Sequence, residues 1–170
     1  KDKNIKTSHK KRLFAGSNQM LRIDDESTHS ISIKNKENIL KAIEKKFTHN
    51  DIMLISDYDK GLIDNQFSKK LISLVNKIGG RVVVDPKSNS FQKYSNAFLV
   101  KPNFREFCLM CGEESIDKSK IIPIARKQIR KFNIKNILIT RGDEGVTLVS
   151  AKNSYHFSST AKEVYDVSGA

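Results

Sequence analysis

The sequence predicts an α/β fold built on a mainly parallel sheet with helices on both faces. Three observations lead there. Short β-branched runs recur from Asn50 onward, helical periodicity fills the gaps between them, and charged loops follow four of the runs. Strands alternating with helices need crossover connections, and crossovers favour a parallel sheet covered by helices.

Arg12 to Asp24 and His29 to Ile33 read as strands that precede the alternating part. Ile39, Leu40, Ile43 and Phe47 then fall on one face of a helix. Ile52 to Ser56 is an apolar run long enough for a buried strand. Phe67, Leu71, Leu74, Val75 and Ile78 share the next helical face, and Gly79-Gly80 ends it, because glycine accepts the left-handed cap. Val82 to Val84 and Ala97 to Val100 are the next strands. Asn103 is a good N-cap for a short helix that Gly112 closes. Ile121, Ile122, Ala125 and Ile129 mark a longer helix, with Pro123 near its first turn or kinking it. Ile137 to Ile139 and Val146 to Val149 complete the strands. There is no internal repeat and no low-complexity linker.

With 170 residues, 38% apolar and 29% charged, the chain has the composition of one soluble globular domain with a real core. No apolar run approaches the roughly 18–20 residues of a membrane span. Lys1 to Lys11 is polar and lacks the apolar centre of a signal peptide, so a cytoplasmic address is the default. The net charge of +12 is mostly lysine dispersed along the chain rather than gathered into a nucleic-acid-binding stripe. Small anionic substrates suit it equally well. Cys108 and Cys111 form a C-x-x-C pair, but no second pair accompanies it, and His9, His29, His49 and His156 are scattered. On a predicted helix the two thiols read as structural.

The polar residues gather in the four loops Ser56–Gly61, Asp85–Lys87, Lys101–Asn103 and Thr140–Gly145. Ligands of open α/β sheets bind outside the carboxyl ends of the strands, and in a parallel sheet these loops share one edge. Turn and cap chemistry accounts for any one of them; four together point to a binding edge. Asn103 and Glu106 lie three apart at a helix start. That spacing suits either a capping box or a pair holding phosphate and a magnesium-bound water.

The ordered set of motifs resembles the ribokinase-like, or carbohydrate kinase, superfamily. Asp57-Tyr58-Asp59-Lys60-Gly61 is similar to its S-D-Y-x-K-G loop, Asp85-Pro86-Lys87 to D-P-K, Pro102-Asn103-Phe104-Arg105-Glu106 to P-N-x-x-E, and Thr140-Arg141-Gly142-Asp143-Glu144-Gly145 to T-x-G-x-x-G. Asp166-Val167-Ser168-Gly169-Ala170 looks like the start of the D-x-[ST]-G-A-G-D signature. Lys10-Lys11-Arg12 and Asn18-Gln19-Met20-Leu21-Arg22-Ile23-Asp24 look like the T-K-x-R and N-Q-x-x-R-x-D stretches of bacterial heptose-7-phosphate kinases. Asp59 stands where a small residue is usual, Lys101 where threonine is common, and Ser8-His9 where Thr-Thr would be usual.

The resemblance implies a ribokinase-like, Rossmann-type domain that transfers phosphate from ATP, with Mg²⁺, to the anomeric position of D-glycero-β-D-manno-heptose 7-phosphate, towards ADP-heptose. It implies nucleotide contacts from Asn103, Phe104, Arg105, Glu106, Thr140, Arg141, Gly142 and Gly145, with Glu106 reaching magnesium through water. Sugar-phosphate contacts are expected from Arg12, Arg22, Asp24, Lys60 and Lys87. Gly169 and Ala170 would begin the anion hole. Asp166 and Ser168 match positions that bind a monovalent cation such as K⁺ in some relatives. Residues 1–170 read as a partial kinase domain without its first strands and its catalytic segment, including the base, so that the chain alone is expected to be inactive. Homodimers occur among such kinases; nucleic-acid and membrane partners are not expected. Other sugar or nucleoside kinases of the superfamily, and a non-catalytic nucleotide-binding remnant, stay open as alternatives.

Overall fold

The computed structural model describes residues 7–16, 18–26 and 30–160. A two-stranded hairpin comes first, made of β1 (His9–Ala15) and β2 (Asn18–Asp25). Helix α1 (Ile33–Lys46) follows, then a six-stranded sheet in the order β3 (Ile52–Ser56), β4 (Arg81–Asp85), β5 (Leu99–Val100), β6 (Asn136–Thr140), β7 (Val146–Ser150) and β8 (Ser154–Phe157). The pairs from β3 to β6 are parallel; β7 and β8 return antiparallel. Helix α2 (Asn65–Ile78) connects β3 to β4, and α3 (Phe104–Cys111) with α4 (Ile121–Phe132) connects β5 to β6.

Local chemistry explains most boundaries. The Asp64 carboxylate caps α2 by accepting from Phe67 N–H at 2.7 Å, and Gly79 ends that helix at φ 88°. Pro123 is the third residue of α4, where its missing N–H has no intrahelical partner to lose. In strand register, Val82, Val84, Val100, Ile137, Ile139 and Val149 share one face and are buried. Phe67, Leu71, Val75, Phe91, Phe107 and Ile129 complete this core from the helical side.

Two sequence expectations need correcting. Arg12 to Asp24 is a hairpin that turns at Gly16, φ 62°, rather than uninterrupted strand. Residues 30–32 are not strand: Ser32 caps α1 and Ile33 is its first residue, while His29 lies outside the described residues. The two faces of the sheet are unequally buried: opposite that core, Leu54, Val83, Leu99, Leu138, Leu148 and Tyr155 share a face, and none of them is fully buried. Strand β8 and a short 3₁₀ turn at Phe91–Tyr94 have no counterpart in the sequence reading, because Ser154–Phe157 offers only two alternating aromatic residues and Phe91–Tyr94 is a single turn.

Candidate active site

All four polar loops leave the C-terminal edge of the parallel strands, and hydrogen bonds tie neighbouring loops together. Asp57 N–H donates to the Asp85 carbonyl at 3.0 Å, and Thr140 N–H to the Pro102 carbonyl at 3.0 Å. The Lys101 ammonium lies 2.9 Å from Asp85, and Lys87 lies 3.5 Å from Glu106. The edge expected from the strand pattern therefore exists.

At one end of this edge the hairpin overhangs the loop after β3. A hollow of about 430 Å³ between them is lined by Ser8, Lys10, Glu26, Asp57, Tyr58 and Lys60, among others. Lys60 and Glu26, both in the lining, are ion-paired to each other. The β1–β2 register sets Lys10 opposite Asp24 and Arg12 opposite Arg22, so Asp24, Arg12 and Arg22 share a face with the pocket-lining Lys10. Leu13, Leu21 and Ile23 occupy the other face and are about half exposed. Arg22 reaches Asp24 at 3.1 Å. Arg12 and Lys10 have no acidic partner among the described residues.

The loop Asp57–Gly61 needs unusual backbone. Asp59 sits at φ 55°, and its N–H donates to Asp57 Oδ1 at 2.8 Å. Aspartate is one of the few side chains that tolerate the left-handed region, which accounts for its presence at this position.

At the other end, a second hollow of about 500 Å³ lies against Thr140, Gly142, Gly145 and Phe157. Gly142 has open space beside it at φ 61°; at Gly145, φ 88°, a Cβ would stand 2.0 Å from the Phe157 carbonyl. Only glycine fits there. Arg141 is turned onto Glu144 and towards Thr147, whose hydroxyl lies 3.4 Å from it. Lys118 and then Arg141, beside Glu144, hold its carboxyl below the usual range.

Asn103 and Glu106 form a complete capping box: Glu106 N–H donates to Asn103 Oδ1 at 2.8 Å, and Asn103 N–H to Glu106 Oε2 at 3.0 Å. Glu106 Oε1 is left facing Lys87. Phe104 packs against the core, and Arg105 is exposed. No group of three or more His, Cys, Asp or Glu side chains is placed to hold a metal among the described residues. Cys108 and Cys111 are free, and burial pushes Cys111 up to about 12, which fits a structural role. Asp166, Ser168, Gly169 and Ala170 lie outside the described residues.

The sequence reading missed Lys10, Glu26, Lys93 and Tyr94. The first two were findable, since Lys10 and Arg12 alternate on β1 just after Ser8, and Arg22 and Asp24 alternate on β2 just before Glu26, once the Gly16 turn is seen. Lys93 and Tyr94 carry no local signal.

Residues 6–170 match the model of the pfkB family carbohydrate kinases. The chain belongs to this family. Among curated proteins it is 36% identical over 165 residues to the bifunctional protein HldE of Sulfurimonas denitrificans, and 34% identical over 168 residues to that of Rhodospirillum rubrum. These alignments cover 97% and 98% of this chain but 34% of each relative, so the chain spans about a third of their length. The pfkB fold agrees with solved structures. Phosphofructokinase-2 of Escherichia coli in complex with substrates and products superposes with a TM-score of 0.69 at 18% identity, covering 89% of this chain and 49% of that one. Ribokinase of Giardia lamblia gives 0.68 at 15% identity, covering 95% and 50%. The chain is thus a member of the pfkB carbohydrate kinase family with the α/β, ribokinase-like fold.

Proposed function

We propose that this kinase phosphorylates D-glycero-β-D-manno-heptose 7-phosphate at its anomeric hydroxyl, using ATP, and so feeds the formation of ADP-heptose. The observation that carries the reading is the cross-strand pair Arg12 and Arg22 on the pocket side of the hairpin. Like charges directly opposite on a ribbon are destabilising by themselves. A phosphate dianion between them would offset the repulsion and accept from two guanidinium forks. The charge balance sorts the five candidate residues. Lys60 is already matched by Glu26, and Lys87 faces Glu106, whereas Arg12 is unmatched. Arg12 therefore takes the sugar's distal phosphate, with Arg22, already paired to Asp24, assisting from across the ribbon, and Lys60 and Tyr58 take its hydroxyls. Relatives named HldE at 34–36% identity support the same substrate.

ATP then belongs at the other end of the edge, against Thr140–Gly145, where glycine lets the backbone approach the phosphates. The half-buried Glu106, with one oxygen clear of its cap, has the hard oxygen donor that magnesium takes through water. Magnesium, when bound, neutralises charge on the transferred phosphoryl group. The rest of the work is positioning. The sugar hydroxyl must lie in line with the terminal phosphorus, and the loops tied at Asp85 and Pro102 hold the two hollows on one rigid edge.

The test is a substrate panel with the full-length protein. Heptose 7-phosphate should be preferred over unphosphorylated heptose, ribose and fructose in kcat/KM. Arg12→Ala and Arg22→Ala should each lower kcat/KM for the phosphorylated sugar roughly 10–100-fold while sparing the KM for ATP. A preference for ribose, fructose or adenosine would sink the heptose assignment and leave the family assignment standing.

A further inference from the structure

The loop that lines the sugar hollow hangs on a buried charged network, two members of which, Lys93 and Tyr94, belong to no motif of the site. Asp57 is 6% exposed, Lys93 5% and Tyr94 fully buried. Asp57 Oδ2 receives the Lys93 ammonium at 2.7 Å and the Tyr94 hydroxyl at 2.7 Å, while Oδ1 accepts the Asp59 N–H at 2.8 Å. The Tyr94 oxygen in turn accepts the Lys87 N–H at 3.4 Å. Lys93 also lies 3.7 Å from the exposed Asp59 carboxylate. Residues of the 3₁₀ turn after β4 thereby hold both the loop after β3 and the loop after β4.

The energetics explain why such a network would be built. A buried carboxylate is costly unless it is paired and hydrogen-bonded, and removing one partner of a buried pair is costlier still. The arrangement is satisfied only when Asp57, Lys93 and Tyr94 sit in one relative placement, so it selects a single loop geometry. Burial and the Asp57 carboxylate hold the Tyr94 phenol well above its usual range, so it stays a hydrogen-bond donor at every physiological pH.

We infer that Lys93 and Tyr94 are positioning residues, which act through Asp57 to set Tyr58 and Lys60 against the sugar and to fix the neighbouring loop that carries Lys87. This rests on the sugar site proposed above. Neither side chain lines the hollow itself. Their effect is to keep the loop Asp57–Gly61 and the loop Asp85–Lys87 in fixed register before substrate arrives, which lowers the ordering cost of binding.

Tyr94→Phe is the deciding variant, since it removes one hydroxyl and keeps the buried ring. Lys93→Gln, which keeps a donor towards Asp57 without the charge, is the second. Both are made in the full-length protein and read by amide hydrogen exchange and by steady-state kinetics. The Asp59 and Lys87 amides should exchange roughly tenfold faster, with Val82 and Val84 unchanged. The KM for the sugar phosphate should rise several-fold while the KM for ATP holds. Unaltered exchange at Asp59 and Lys87, or KM values for sugar and ATP that rise together, would overturn the positioning role. A wild-type enzyme indifferent to heptose 7-phosphate would defeat the proposed reaction instead, and the exchange result would still decide the role of the network.

Discussion

One carboxylate oxygen of Glu106 closes the capping box, and the other faces Lys87. The two duties can be separated by substitution. Glu106→Gln keeps an oxygen for the Asn103 N–H but loses the charge, so kcat should fall more than the KM for ATP rises, because charge stabilisation matters most in the transition state. Glu106→Ala should add a loss of about 1 kcal/mol of stability from the broken cap. Steady-state kinetics and thermal unfolding of the two variants check this. An unchanged kcat in folded Glu106→Gln would leave the residue a cap and nothing more. The Asn103–Glu106 pair was legible in the sequence because cap chemistry acts over three residues. Lys93 was not: a lysine becomes a buried partner of Asp57 only through a contact 36 positions away in the chain.

At the scale of elements, α1 and α2 meet through an ion pair at the start of α2. Lys36 of α1 lies 2.5 Å from Asp64, the N-cap of α2, and this contact, with the Phe67 N–H, holds the Asp64 carboxyl below the usual range. A carboxylate whose folded pKa is depressed adds stability above its unfolded value near 3.8, and that contribution is lost as pH falls through the folded value. Asp64→Asn retains a cap acceptor and removes this dependence; Asp64→Ala should also lose about 1 kcal/mol from the cap at neutral pH. Chemical denaturation at pH 7 and at acid pH measures both effects, and identical acid sensitivity in Asp64→Asn would contradict the assignment. Helices of this kind were readable because their apolar faces and caps are local. The hairpin was read as continuous strand because its turn at Gly16 is short and its strands are polar on one face and apolar on the other.

At the scale of the molecule, the side chains on one face of the sheet are buried and those on the other are partly exposed. Leu54 is 65% exposed and Phe157 57%, at opposite sides of that face. Contiguous apolar surface of this sort drives association, and among the described residues β3 is an unpaired edge. The 170-residue chain should therefore self-associate, and Leu54→Lys with Phe157→Lys should reduce light scattering while leaving the unfolding midpoint nearly unchanged, since neither side chain is in the core. Equal scattering from the double variant would mean that another surface is responsible.

The sequence by itself determined the order of strands and helices from Asn50 to Ser150, the caps at Asn103, Gly79 and Gly112, and the loops that form the edge. Each of these depends on periodicity, cap chemistry or turn residues within a few positions. Tertiary structure decided what those loops do to one another: Arg12 set opposite Arg22, Lys60 neutralised by Glu26, and Asp57 held by Lys93 and Tyr94. It also decided that one sheet face is buried and the other partly exposed, which no strand records, because Val82 and Val83 are the same residue type one position apart. The physical reason is range. Local rules specify which groups are available, while the cost of leaving a charge unmatched or an apolar face wet is settled by residues far away in the chain.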